Sequence, residues 1–137
     1  MTKRFTYIDL FAGCGGLSLG LEKAGFELEL AVEKSDMAAE TFYHNFISRI
    51  VDKAEWETFS SADTDIEFQA KKKLVVKELK AVLECKKLLK QLKQKNIDLV
   101  AGGPPCQGFS LAGKRNPKDI RNQLPWQFLE FVAQIHP

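Results

Sequence analysis

Hydrophobic positions along the chain follow two periods, and their alternation sets out the elements. Phe5 to Phe11, Phe-Thr-Tyr-Ile-Asp-Leu-Phe, is rich in aromatic and β-favouring residues and ends at a glycine cluster, which predicts a buried strand. Leu17, Leu19, Leu21 and Ala24 follow at roughly helical spacing, and Gly25 suits the C-cap of that helix. Leu28 to Val32 predicts a second short strand ending at Glu33. Asp36 can N-cap the next helix, supported by Glu40, with Phe42, Phe46, Ile47 and Ile50 as its apolar face. Residues 51–70 read as polar and irregular, anchored by Trp56, Phe59 and Phe68. From 71 to 95, Leu74, Val75, Leu79, Val82, Leu83, Leu88, Leu89 and Leu92 recur at helical spacing, predicting one long amphipathic helix. Ile97 to Ala101 is a third strand running into Gly102-Gly103-Pro104-Pro105. Residues 114–121 form a basic loop, and Leu124 to Ile135 is a last helix with Pro125 in its first turn.

Strands alternating with helices predict an open α/β sheet. Crossovers in such sheets are right-handed, so ligand sites gather at the C-terminal strand ends. Three features fall at strand ends here: the glycine turn, Glu33 and the loop carrying Cys106.

Composition narrows the setting. The chain has 137 residues, 45% hydrophobic and 28% charged, which suits one globular domain. No apolar run approaches the roughly 18 residues that suggest a membrane span. Met1-Thr2-Lys3-Arg4 leads only into a short apolar strand, which argues against a secretory signal. The three cysteines, Cys14, Cys85 and Cys106, show neither metal-ligand spacing nor a disulfide framework, so a reducing, cytoplasmic setting without metal is expected. Net charge is +2, but residues 71–95 hold ten lysines against two glutamates, a local +8 that leaves −6 for the rest. That run reads as a solvated helix face or as a basic patch beside nucleic acid.

The candidate chemistry is at the strand ends. In Asp9-Leu10-Phe11-Ala12-Gly13-Cys14-Gly15-Gly16 the glycines permit positive φ and close approach of a ligand to the backbone. The spacing Gly13, Gly15, Gly16, Gly20 departs from the dinucleotide-binding G-x-G-x-x-G, which disfavours a nicotinamide-dependent dehydrogenase. Glu33, at the end of the second strand, is either a surface glutamate or an acceptor for two vicinal ribose hydroxyls. In Gly102-Gly103-Pro104-Pro105-Cys106-Gln107-Gly108-Phe109-Ser110 two prolines stiffen the backbone before a thiol that looks positioned rather than packed. Cys85 reads as the packing cysteine, and Cys14 as a space-filling turn residue.

At these residues the sequence resembles the cytosine-5 DNA methyltransferase family. Asp9 to Leu17 is similar to the family's first motif, Gly103 to Ser110 to its catalytic motif, and Arg121-Asn122-Gln123-Leu124 through Leu129 to the motif after it. The resemblance implies a Rossmann-like, S-adenosylmethionine-dependent methyltransferase fold. It implies that S-adenosylmethionine is the cofactor, held by Phe11, Ala12, Gly13, Cys14, Gly15, Gly16 and Leu17, by Glu33 at the ribose, and by Lys34, Pro104 and Leu124. It implies that Cys106 attacks C6 of a cytosine flipped out of double-stranded DNA, that Pro105 orients the loop, and that Gln107 and Ser110 hold it. A restriction-modification setting in a bacterial-type cytoplasm follows from the same resemblance.

Three departures shape the expectation. Lys34 stands where some members have an aromatic that stacks on adenine. The family's third motif, an acidic residue near the adenine amine, has Asp63 and Asp65 as its candidates here, inside a lysine-rich helical insertion at 51–96. The chain ends at Pro137, before the family's next strand with its glutamate, the target-recognition domain and the closing helix. The expectation is therefore the N-terminal part of the catalytic domain, with the fold incomplete at its C-terminal side and a second chain supplying the rest. The alternatives are a non-catalytic cofactor-binding or regulatory fragment and a transfer-RNA cytosine-5 methyltransferase of the same family.

Overall fold

The computed structural model describes residues 2–49, 52–105 and 117–137. Among the described residues the sheet has four strands, β1 (Thr6–Leu10), β2 (Glu27–Val32), β3 (Leu74–Val75) and β4 (Leu99–Gly102). All pair in parallel, in the order β3-β2-β1-β4. The helices are α1 (Gly16–Lys23), α2 (Asp36–Phe46), α3 (Lys53–Ser60), α4 (Ile66–Lys71), α5 (Leu79–Glu84), α6 (Lys86–Gln94) and α7 (Leu124–Ile135), the last preceded by a 3-10 turn at Ile120–Gln123.

Each face of the sheet has its own apolar layer, as strand alternation requires. Ile8, Leu10, Leu30, Val32 and Val75 pack in one cluster with Val82, Leu89, Leu92, Phe131 and Ile135, from α5, α6 and α7. Tyr7, Leu28, Ala31 and Leu74 pack in the other with Phe42, Trp56 and Phe59, from α2 and α3. Leu28 and Leu30 share parity on β2 yet lie in different layers. The register shift between Tyr7 and Ile8 explains this: Tyr7 pairs with Leu28 and Ile8 with Leu30, so Glu29 is the extra residue of a bulge. Burial of each such aliphatic side chain stabilises the fold by about 1.5–3 kcal/mol.

The β1-β4 contact is tight because Gly102 has no side chain. A Cβ there would lie 2.3 Å from the Leu10 carbonyl oxygen and 3.0 Å from the Phe128 ring. The opposite end of this strand pair is tied by Asp98, which accepts from the Thr6 N–H at 2.8 Å and from Lys3 Nζ at 2.8 Å. Those bonds hold the Asp98 carboxyl below its ordinary value.

Three local expectations need correction. The lysine-rich run is not one helix: Leu74–Val75 is a strand paired with β2, and the helical remainder divides into α5 and α6 at Cys85. Helical spacing of leucines concealed a two-residue strand, too short to show a period of its own. Residues 53–60 and 66–71 are helices, N-capped by Asp52 and Asp65. The N-cap of α2 is Ser35, whose Oγ accepts from Ala38 N–H at 3.4 Å, and Asp36 is the first helical residue. Ile50, expected on the apolar face of α2, lies outside the described residues. The leucine face of α6 does pack against the sheet, with Leu88, Leu89 and Leu92 buried.

Candidate functional site

Local geometry locks the ends of β1 and β2 to each other. The chain leaves β1 through Phe11 and Gly13, both at positive φ (57° and 58°). Ala12 N–H donates to the Val32 carbonyl at 3.0 Å. Gly13 N–H donates to Glu33 Oε2 at 2.8 Å, and Ser35 N–H donates to Glu33 Oε1 at 2.9 Å. Gly15 then caps α1 at φ 103°, where a Cβ would sit 2.2 Å from the Phe46 ring, so only glycine fits. The turn is thereby held by backbone bonds to a carboxylate and by one enforced close contact.

Beside this turn a cleft of ≈ 310 Å³ opens at the C-terminal strand ends. Its apolar walls include Phe11, Leu79 and Leu124, its acidic groups are Glu33 and Glu78, and Gly103 and Pro105 reach it from β4. Its volume is at the low end for a small-molecule site, and Lys77, Lys80, Gln123 and Gln127 join the acidic pair in lining it. Lys34 also lines it, as does Arg121, which is bonded to Asp119 through Nε at 2.9 Å. The Arg121 contacts hold the Asp119 carboxyl down to about 2.

Of the residues singled out in the sequence, Phe11, Glu33, Lys34, Pro105 and Leu124 meet at this cleft. Ala12, Gly13, Cys14, Gly15, Gly16 and Leu17 form the turn and the start of α1, with Ala12 buried and Cys14 and Leu17 exposed. Pro104 precedes Pro105 directly. Cys106, Gln107 and Ser110 lie outside the described residues. Asp63 and Asp65 are not at the cleft. Asp65 caps α4 by accepting from Phe68 N–H at 3.1 Å, and it lines a separate groove of ≈ 410 Å³ between α4 and α6.

The acidic group that does reach the cleft after β3 is Glu78, at the N-cap of α5, followed by Leu79. The sequence does not single it out, because the helical spacing of the leucines around Leu74–Val75 hides the strand before it. The available signal is the β-branched pair Val75-Val76, followed two residues later by a carboxylate.

Asp9 is fully buried beneath the turn. Its Oδ2 accepts from Ser18 Oγ at 2.6 Å, while Oδ1 has no hydrogen-bond partner among the described residues. Burial pushes this carboxyl above its ordinary value, the Ser18 bond opposes the rise, and the charge of Glu33 adds to it. No group of three or more metal-ligating side chains occurs among the described residues, and no described helix is long and apolar enough to cross a membrane.

A doubly wound parallel sheet with its cleft at the strand ends defines a Rossmann-like fold of the S-adenosylmethionine-dependent methyltransferase type. The family model described as C-5 cytosine-specific DNA methylase matches residues 5–137, and the chain belongs to that family. It is 37% identical over 130 residues to the Type II methyltransferase M.HindV of Haemophilus influenzae, a match covering 95% of this chain and 34% of that one. It is 36% identical over 130 residues to the Type II methyltransferase M.HgiGI of Herpetosiphon aurantiacus, covering 95% of this chain and 82% of the relative. Among solved structures, one from E. coli, described as a prophage-encoded DNA modification methyltransferase, superposes with a TM-score of 0.64 at 32% identity. That match covers 97% of this chain and 30% of the other. The chain thus spans about a third of the length of M.HindV.

Proposed function

We propose that this chain is the cofactor-binding and nucleophile-bearing segment of a DNA cytosine-5 methyltransferase, active together with the rest of the enzyme or with a second chain. The observation that supports this most is the meeting of Glu33, Glu78 and the Gly103–Pro105 segment at one cleft. A carboxylate at the end of β2 suits the ribose hydroxyls of S-adenosylmethionine. Phe11, Leu79 and Leu124 offer apolar surface to its adenine ring, and Glu78 offers an acceptor for its amine. The aliphatic stem of Lys34 takes the place of a stacking aromatic. Gly13, Cys14, Gly15 and Gly16 present backbone rather than bulky side chains beside the cleft, as a closely approaching cofactor requires.

In this reading Pro104 and Pro105 stiffen the segment that delivers Cys106. The Cys106 thiolate adds to C6 of a cytosine flipped out of double-stranded DNA, forming an S–C6 bond and moving the ring electron pair to C5. The cofactor, when bound, supplies the methyl group that C5 accepts. A base then takes the C5 proton, the electrons re-form the C5–C6 double bond, and Cys106 departs as thiolate. Sulfur suits both acts, as a strong nucleophile and a competent leaving group; a serine hydroxyl suits neither. An acid at cytosine N3 adds about 10²–10⁴-fold to this attack.

The test is transfer of a tritiated methyl group from S-adenosylmethionine to duplex DNA, by this chain mixed with candidate partner chains. The expected result is label in 5-methylcytosine, abolished by Cys106→Ser. Label in adenine, or label retained by Cys106→Ser, contradicts the proposal.

A further inference from the structure

On α7, Gln127 lies three residues after Leu124 and lines the same cleft. Its Oε1 is buried and has no hydrogen-bond partner among the described residues. A buried carboxamide oxygen without a donor costs stability comparable to a lost hydrogen bond, and because the oxygen itself is shut off from solvent the carboxamide must turn into the cleft to meet a donor that arrives there. Two other orphan acceptors among the described residues differ in place. Asp9 Oδ1 belongs to a carboxylate already bonded to Ser18 beneath α1, and Glu67 Oε1 belongs to a side chain paired with Lys87 in the groove beside α4. Only Gln127, of these three, stands at the cleft that holds Glu33 and Glu78.

From this we infer that Gln127 is a specificity-determining residue that reads the adenine ring of the ligand. The inference rests on the adenosyl reading of the cleft. A carboxamide matches adenine in two bonds at once: Oε1 accepts from the exocyclic amine and Nε2 donates to N7. The amine has a second hydrogen, on its N1 side, and Glu78 is the acceptor available for it in the same cleft. Glu33 is committed to Gly13 and Ser35 at the other acidic position and remains the ribose acceptor. Divided in this way, Glu33, Glu78 and Gln127 serve the ribose, the N1 edge and the N7 edge, while Phe11, Leu79 and Leu124 cover the ring faces. A ligand with an oxygen in place of the amine presents an acceptor to Oε1 and to Glu78, and is rejected by both.

The experiment measures binding of S-adenosylhomocysteine and its 7-deaza analogue to the full chain by calorimetry, for wild type and Gln127→Leu, alongside thermal unfolding. The wild type is expected to favour the parent compound about 3–10-fold. In Gln127→Leu the affinity for the parent should fall about 5–20-fold and the preference over the 7-deaza analogue should vanish. Its unfolding midpoint should stay level or rise, because the substitution removes an unpaired buried oxygen. A merely structural glutamine would lower the midpoint and leave the discrimination intact. Gln127→Glu provides the second variant: it keeps the acceptor but loses the N7 donor, so it too should lose the discrimination. Unchanged discrimination in both variants, with the wild type binding, overturns the role of Gln127 and leaves the adenosyl reading standing. No binding of either compound by the wild type overturns the adenosyl reading, and this inference with it.

Discussion

Glu33 and Gly13 are joined by a 2.8 Å hydrogen bond from the glycine N–H to Oε2, so the carboxylate that closes β2 also fixes the turn that closes β1. One side chain therefore organises two of the three features that meet at the cleft. Glu33→Ala removes the ribose acceptor and leaves the Gly13 and Ser35 N–H groups without their partner. Affinity for S-adenosylhomocysteine should drop at least about 30-fold, corresponding to roughly 2 kcal/mol or more. Glu33→Gln should lose less, because an amide oxygen can still accept from one backbone N–H. Calorimetric titration checks both, and equal affinity in wild type and Glu33→Ala rules out the ribose role.

Buried Asp9 carries a pH signature. Its folded-state pKa is raised by burial, so the folded protein holds this proton to higher pH than the unfolded chain does. Its contribution is fully present below the ordinary carboxylate value and is lost as pH rises through the folded-state value. Asp9→Asn stays neutral throughout and keeps an oxygen for Ser18 Oγ. The variant's melting temperature should therefore gain on the wild type as pH is raised from about 4 to 8. A constant difference between the two curves over that range would show that the carboxyl titrates normally.

The lysine-rich segment separates packing from charge. Leu89 is buried against the sheet, and Leu89→Ala should destabilise by about 2–5 kcal/mol in urea denaturation. Lys86, Lys90 and Lys93 are exposed on the same helix, and replacing all three by glutamine should change stability by no more than about 0.5 kcal/mol per site. Comparable losses from both sets would mean that α6 is held by charge rather than by its leucines.

What could be read in the sequence follows from how much signal each residue carries. The strands expected at Phe5–Phe11 and Leu28–Val32 stand as Thr6–Leu10 and Glu27–Val32, and their hydrophobic composition marks them as buried, although Phe5 itself is exposed. The glycine turn was legible because Gly15 has no substitute: its φ of 103° and its contact with Phe46 exclude a side chain. Leu74–Val75 was not legible, since two residues cannot establish a period and the leucines around them are helical. That single miss hid Glu78, because a carboxylate counts as a strand-end ligand only once the strand is known. Gln127 was hidden differently. Its place on the helix was plain, but its unpaired oxygen is a property of packing that no spacing encodes.

The central claim is that Cys106 attacks cytosine, and covalent trapping tests it most directly. The chain, alone and with candidate partner chains, is incubated with S-adenosylmethionine and duplex DNA carrying 5-fluorocytosine. Fluorine at C5 blocks the elimination that would free the enzyme. The account predicts a protein–DNA adduct that survives denaturation, requires the cofactor and disappears in Cys106→Ser. An adduct that persists in Cys106→Ser, or no adduct from any combination that binds both cofactor and DNA, would contradict it.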